Sequence, residues 1–118
     1  MFVGTVGTIT MNLSEASLPR GWFLLDDTIA PGFEAELASE LPPVHYLKGV
    51  PVQAIAKDDA SDDVLFRHVN EPDHWSVVHL TWISKQEQAP FPAVAFTGTF
   101  AAFQKAYEST GDSFTRPS

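Results

Sequence analysis

Three β-rich segments follow one another between residues 50 and 84, with only short polar turns between them. Val50 to Lys57 is the first, Val64 to Val69 the second and His74 to Ser84 the third. Parallel neighbours need a crossover of about a dozen residues or more, which neither turn supplies. The segments therefore read as an antiparallel meander. The first turn, Asp58-Asp59-Ala60-Ser61-Asp62-Asp63, is wholly polar or small, and the second, Asn70-Glu71-Pro72-Asp73, bends at its proline. Pro51 confines the start of the first segment to an edge or a strand end.

Helical patterns flank the meander. Gly21 to Asp26 is a short apolar run that reads as one more strand. Thr28 to Pro31 then reads as a helix entry, because proline is tolerated in the first turn. Phe33, Leu37 and Leu41 recur every four residues with Glu34, Glu36 and Glu40 between them. That spacing predicts an amphipathic helix of about three turns whose acids line the outer face. Pro42-Pro43 stops it. Lys85 to Phe96 reads as an extended loop, and Thr97 or Thr99 as the cap of a second helix bearing Phe100, Phe103 and Tyr107. The expected class is α+β: an antiparallel meander of three to four strands with two amphipathic helices packed on one face. At 118 residues the chain makes one domain. Residues 14–112 form it, with 1–13 as a tail or edge strand and 113–118 as a C-terminal tail.

Composition excludes several functions. Without cysteine there are no disulfides, no thiol catalysis and no thiolate metal centres. The apolar runs fall far short of the roughly 20 residues that span a bilayer, and the first ten residues lack the pattern of a signal peptide. The chain reads as a cytoplasmic protein with no membrane partner. Seven basic against fifteen acidic residues give a net charge of −8. The basic residues are scattered, so nucleic acid is not expected as a partner.

Register decides which side chains meet. With Asn70–Asp73 as a four-residue loop, Val69 faces His74, His68 faces Trp75 and Val64 faces His79. Asp62 is then diagonal to His79, about 7–8 Å away by backbone spacing. A carboxylate-oriented imidazole can act as a general base, so His79 with Asp62 is the candidate pair for a small hydrolase or isomerase. No serine lies in a nucleophile motif, and no catalytic residue is assigned. In this register His68 and His79 share a face about 13 Å apart at about 3.3 Å per residue, too far to share an ion. His74 and His79 point to opposite faces. A histidine site would need His45 folded in from its loop, so no metal and no cofactor are expected.

The run Val52 to Lys57, then Asp62-Asp63-Val64-Leu65-Phe66-Arg67, then Val77-Val78-His79-Leu80-Thr81-Trp82 resembles a group of short bacterial proteins of no established activity. The likeness extends through Pro90, Pro92, Phe100 and Phe103. It implies a single small α+β unit and transfers no site.

The densest charge cluster is Asp58, Asp59, Asp62 and Asp63. It lacks the alternate spacing and the glycine of a calcium loop. As a docking patch it would steer a basic surface. Trp75 and Phe91, each beside a proline-containing turn or loop, are the expected exposed aromatic anchors. The function that follows is non-enzymatic: an acidic inhibitor, antitoxin or immunity-type protein binding a protein partner with a basic surface. The alternatives are the His79–Asp62 enzyme and a homodimeric structural module.

Overall fold

The computed structural model describes residues 15–89 and 91–108. Five strands form one antiparallel sheet in sequence order: β1 (Trp22–Leu24), β2 (Val52–Asp58), β3 (Asp63–His68), β4 (Trp75–His79) and β5 (Ala93–Gly98). Helix α1 (Ala30–Glu40) connects β1 to β2, and α2 (Phe100–Ala106) follows β5. The α+β class and the meander stand as expected. The fifth strand begins within the stretch Lys85 to Phe96 that reads as loop in the sequence, where Pro90 and Pro92 precede it and its two small alanines mask the pattern. The N-terminal stretch 1–13 and the tail 113–118 lie outside the described residues.

The helices do not share a face. Leu37 and Leu41 of the α1 region pack with Ala54, Val64, Phe66, Val78 and Leu80 in an aliphatic cluster. Phe103 of α2 packs with Trp22, Ile55, Leu65, Trp75 and Val77 in an aromatic cluster. Along β3 and β4, neighbours 64 and 65, and 77 and 78, fall in different clusters, as period-two alternation demands of a sheet covered on both sides. The expectation of both helices on one face is corrected by this division. The mixed apolar character of both strand faces was its sequence sign.

A bulge on each flanking strand redistributes side chains between the clusters. On β2 the pairing passes from Ala54↔Phe66 to Ala56↔Leu65, leaving Ile55 extra. On β5 it passes from Phe96↔Val77 to Val94↔Val78, leaving Ala95 extra. Two residues on one strand then oppose one on its partner. In this way Val94 joins the aliphatic core and Phe96 the aromatic one.

The acids of α1 turn inward, which corrects the outer-face expectation. Glu40 is fully buried, at 0% exposure, and accepts hydrogen bonds from the backbone N–H of Thr81 and Trp82 at 3.0 and 2.8 Å. Glu36, also buried, accepts from the N–H of Ser84 at 2.9 Å and from its hydroxyl at 3.2 Å. Glu34 accepts from the N–H of Ala54 at 2.9 Å, next to the β2 bulge. Here lies the reason β4 ends at His79 rather than at Ser84. Leu80 still gives its N–H to the Asp62 carbonyl at 3.2 Å, but the N–H groups of Thr81, Trp82 and Ser84 go to carboxylates, and the chain coils with Trp82 and Ser84 at φ 61° and 60°. A non-glycine residue holds such a left-handed conformation only where its surroundings fix it.

Candidate functional site

Between the paired residues His68 and His74 the β3–β4 loop is five residues long, Val69 to Asp73, not four. His68 donates its backbone N–H to the carbonyl of His74 at 2.8 Å, and the strand pairs run Arg67↔Trp75, Leu65↔Val77 and Asp63↔His79. A one-residue slip moves a strand's whole set of side chains to the other face. His68 and His74, which the four-residue loop placed on opposite faces, therefore lie on one face as stacked rings. Their centroids are 3.9 Å apart and their planes 7° from parallel. The loop is anchored at its far end. Asp73, at φ 50°, accepts from the Trp75 indole N–H at 2.9 Å and from the Phe100 N–H at 3.0 Å. It thereby ties the hairpin to the start of α2.

A polar network surrounds the two rings. Glu71, in the middle of the loop, accepts from Nδ1 of His74 at 2.6 Å. Nε2 of His74 lies 2.8 Å from the Thr97 hydroxyl. Nε2 of His68 lies 2.8 Å from the Ser76 hydroxyl, which donates to Thr97 at 3.1 Å. The Tyr46 hydroxyl reaches Nε2 of His74 at 3.3 Å and Thr97 at 3.4 Å. His68 is only 1% exposed and its Nδ1 has no hydrogen-bond partner, with Glu71 3.9 Å away. Burial holds the His68 imidazole below its ordinary pKa, the neighbouring His74 adds to that effect, and Glu71 opposes it. The hydrogen bond from His74 holds the Glu71 carboxyl low. Glu71, His74 and Thr97 have the order of a carboxylate-oriented base and a hydroxyl. The hydroxyl is shared among His74, Ser76 and Tyr46, so it sits inside a closed network.

A cleft of about 500 Å³ opens beside the network, lined by Val44, His45, Tyr46, Ala89, Val94 and Thr97. His45 forms its floor. A carbonyl only accepts, so Nε2 of His45 carries the proton given to Pro92 at 2.7 Å, and its Nδ1 accepts from the Leu47 N–H at 3.0 Å. The rim is apolar and solvent-facing: Val44 is 80% exposed and Tyr46 54%. One wall belongs to β5, the last strand of the sheet, which carries no charged residue.

The residues singled out from sequence are dispersed. Asp58 folds its own turn, accepting from the Ala60 N–H at 3.0 Å and the Ser61 hydroxyl at 3.2 Å. Lys57 donates to the carbonyls of Asp58 and Ser61 across that turn. Asp59 and Asp62 are exposed. The His79 ring meets Asp63, not Asp62: Nδ1 and Oδ1 are 2.9 Å apart on the surface. This corrects the His79–Asp62 pair, and the cause is again the register. Trp75, expected at the surface, is buried in the aromatic core against Phe100. Phe91 is exposed, as expected. The separation expected of His68 and His79 speaks against a shared ion, but His68, Glu71 and His74 come together, with ligand atoms within 4.8 Å of one another. The available signal was a glutamate midway between two histidines that flank a hairpin loop.

Among the described residues no helix is long and apolar enough to cross a membrane. No protein-family model, curated protein or solved structure matches this chain.

Proposed function

We propose that this chain is a protein-binding domain that receives an extended segment of its partner along the edge of β5 with which no described strand pairs, with an apolar side chain of that segment in the adjoining cleft. The observation that carries the reading is the exposed apolar rim of Val44 and Tyr46 beside an uncharged edge strand. Sheet edges are ordinarily guarded by lysines, prolines or covering elements, because unpaired N–H and C=O groups recruit other strands. In strand addition the backbone supplies affinity and pockets beside the strand supply specificity. The bulge at Ala95 divides the edge into short stretches, so pairing is brief and the cleft must contribute selectivity. A net charge of −8 favours a segment with basic flanks and speeds its approach. These properties suit an inhibitor, antitoxin or immunity-type protein that covers a basic partner.

Selection of a random peptide library on the immobilised chain tests the reading. The expected consensus is extended, with one apolar residue between basic ones. Its binding perturbs the amide resonances of Ala93 to Gly98 and is lost in Ala95→Pro and Tyr46→Ser. Two outcomes overturn it: no enriched consensus, or a concentration-dependent dimer in sedimentation with the same amides perturbed. The second would make a copy of the chain the occupant of the edge.

A further inference from the structure

The β3–β4 hairpin brings three donors together with no helix or cysteine involved. Nδ1 of His68 and Nδ1 of His74 both face Glu71, at 3.9 and 2.6 Å, and one ligand atom from each residue lies within 4.8 Å of the others. We propose that His68, Glu71 and His74 form a binding site for a divalent transition cation, with zinc the ion best matched to two imidazole nitrogens and one carboxylate oxygen. The site is independent of the partner-binding reading.

Three features support it. The first is the bare Nδ1 of His68, buried without a hydrogen-bond partner. An unsatisfied buried polar group is costly, and a cation supplies the missing partner. The second is the outer shell. Ligating histidines usually give their second ring N–H to an oxygen, which fixes the tautomer and the ring's orientation. Here Nε2 of His68 has Ser76 and Nε2 of His74 has Thr97, each at 2.8 Å. Both rings can therefore donate through Nε2 and ligate through Nδ1. The third is a prepared loop: Pro72 limits its backbone, and Asp73 ties it to Trp75 and Phe100.

Binding requires a defined adjustment. In a tetrahedral zinc site with bonds of about 2.0–2.1 Å, ligand atoms sit about 3.3 Å apart. The His74–Glu71 contact must widen as its proton leaves, and the His68–Glu71 distance must close. An ion also has to lie near the plane of each imidazole, which two rings stacked within 7° do not allow. His74, the more exposed of the two, tilts out of the stack about its Nε2–Thr97 hydrogen bond while His68 stays. Exposed Glu71 leaves room for water at the fourth position. Metal on Nδ1 of His74 also removes Glu71 from the base-like arrangement with Thr97, so the two states are mutually exclusive.

Calorimetric titration of the full chain with Zn²⁺ alone, and Co²⁺ titration followed by visible absorption, test the proposal. One cation per chain is expected, with Co²⁺ d–d bands of low coordination number. By comparison with outer-shell losses of about 10–100-fold, Glu71→Gln and His74→Ala should each weaken binding by about 100-fold, and Thr97→Val by about tenfold. His79→Ala should leave it unchanged. Since His68 is buried and its substitution threatens folding, its part is read in the wild-type chain. Zn²⁺ should shift the Nδ1 resonances of both His68 and His74 and leave that of His45 in place. Absence of saturable binding overturns the proposal. So does binding that survives Glu71→Gln and His74→Ala but fails in His79→Ala, which would place the ion at the Asp63–His79 pair.

Discussion

Glu40 shows how one side chain can decide a chain path. Its carboxyl accepts from the N–H groups of Thr81 and Trp82, where the sequence reads as a continuing strand. Burial raises its pKa, and sharing a hydrogen bond with Glu36 raises it further, while the same contact holds Glu36 low. Glu40→Ala leaves two N–H groups without acceptors and should cost about 3 kcal/mol in urea denaturation, at the upper end for unsatisfied buried donors. The pH response has a definite sign. A carboxyl whose folded pKa is raised binds more protons folded than unfolded. Its contribution is complete below the ordinary value of 4.5 and is lost as pH rises through the folded value. Glu36 acts oppositely, contributing above 4.5 and losing that contribution as pH falls through its lowered value. Glu40→Gln keeps an acceptor and a donor but cannot ionise. Its stability should therefore gain on wild type as pH climbs from 4.5, and parallel profiles would remove Glu40 as the titrating group.

The elements most legible in the sequence were those with a strong period and a hard stop. The helix before Pro42-Pro43 and the cap at Thr99, which accepts from the Ala102 N–H at 3.1 Å, are examples. Register was not legible, because it turns on whether Val69 belongs to strand or loop. Val69 is β-branched and reads as strand, yet its N–H goes to the Pro51 carbonyl and its side chain faces solvent. That single residue sets His79 opposite Val64, with Asp62 diagonal, where the fold sets it opposite Asp63, and it hides the stacking of His68 on His74. The bulges at Ile55 and Ala95 were equally hidden, since nothing in an apolar run marks the residue left extra. The hairpin depends on Asp73 twice, through its φ of 50° and through its two accepted hydrogen bonds. Asparagine tolerates the left-handed region and keeps an acceptor, whereas alanine does neither. Asp73→Asn should be nearly neutral to thermal unfolding, and Asp73→Ala should cost about 2 kcal/mol. Equal losses in both would show that charge, not geometry, matters at this position.

At the scale of the molecule, the acidity and the two cores are parts of one design. Much of the −8 charge is engaged in building the fold. Glu34, Glu36 and Glu40 hold loops and a bulge, Asp58 and Asp73 shape turns, and Glu71 and Asp63 hold histidines. The acids of α1 turn inward rather than outward because backbone N–H groups freed by bulges and tight coils need acceptors, and carboxylates are strong ones. The sheet has a core on each side, and β3 and β4 contribute to both through adjacent residues. Neither core can loosen without disturbing the other's strands. Phe103, fully buried, touches the rings of Trp22, Phe100 and Tyr107 at centroid distances of 5.1, 5.7 and 5.2 Å. Phe103→Ala should cost about 3–5 kcal/mol, as large aromatic deletions in cores do. The near-UV signal reports the aromatic core and the far-UV signal the whole sheet. Shared strands predict that both still unfold at one urea concentration in the variant. An earlier near-UV transition would show that the aromatic layer melts alone, with β3 and β4 held by the α1 side.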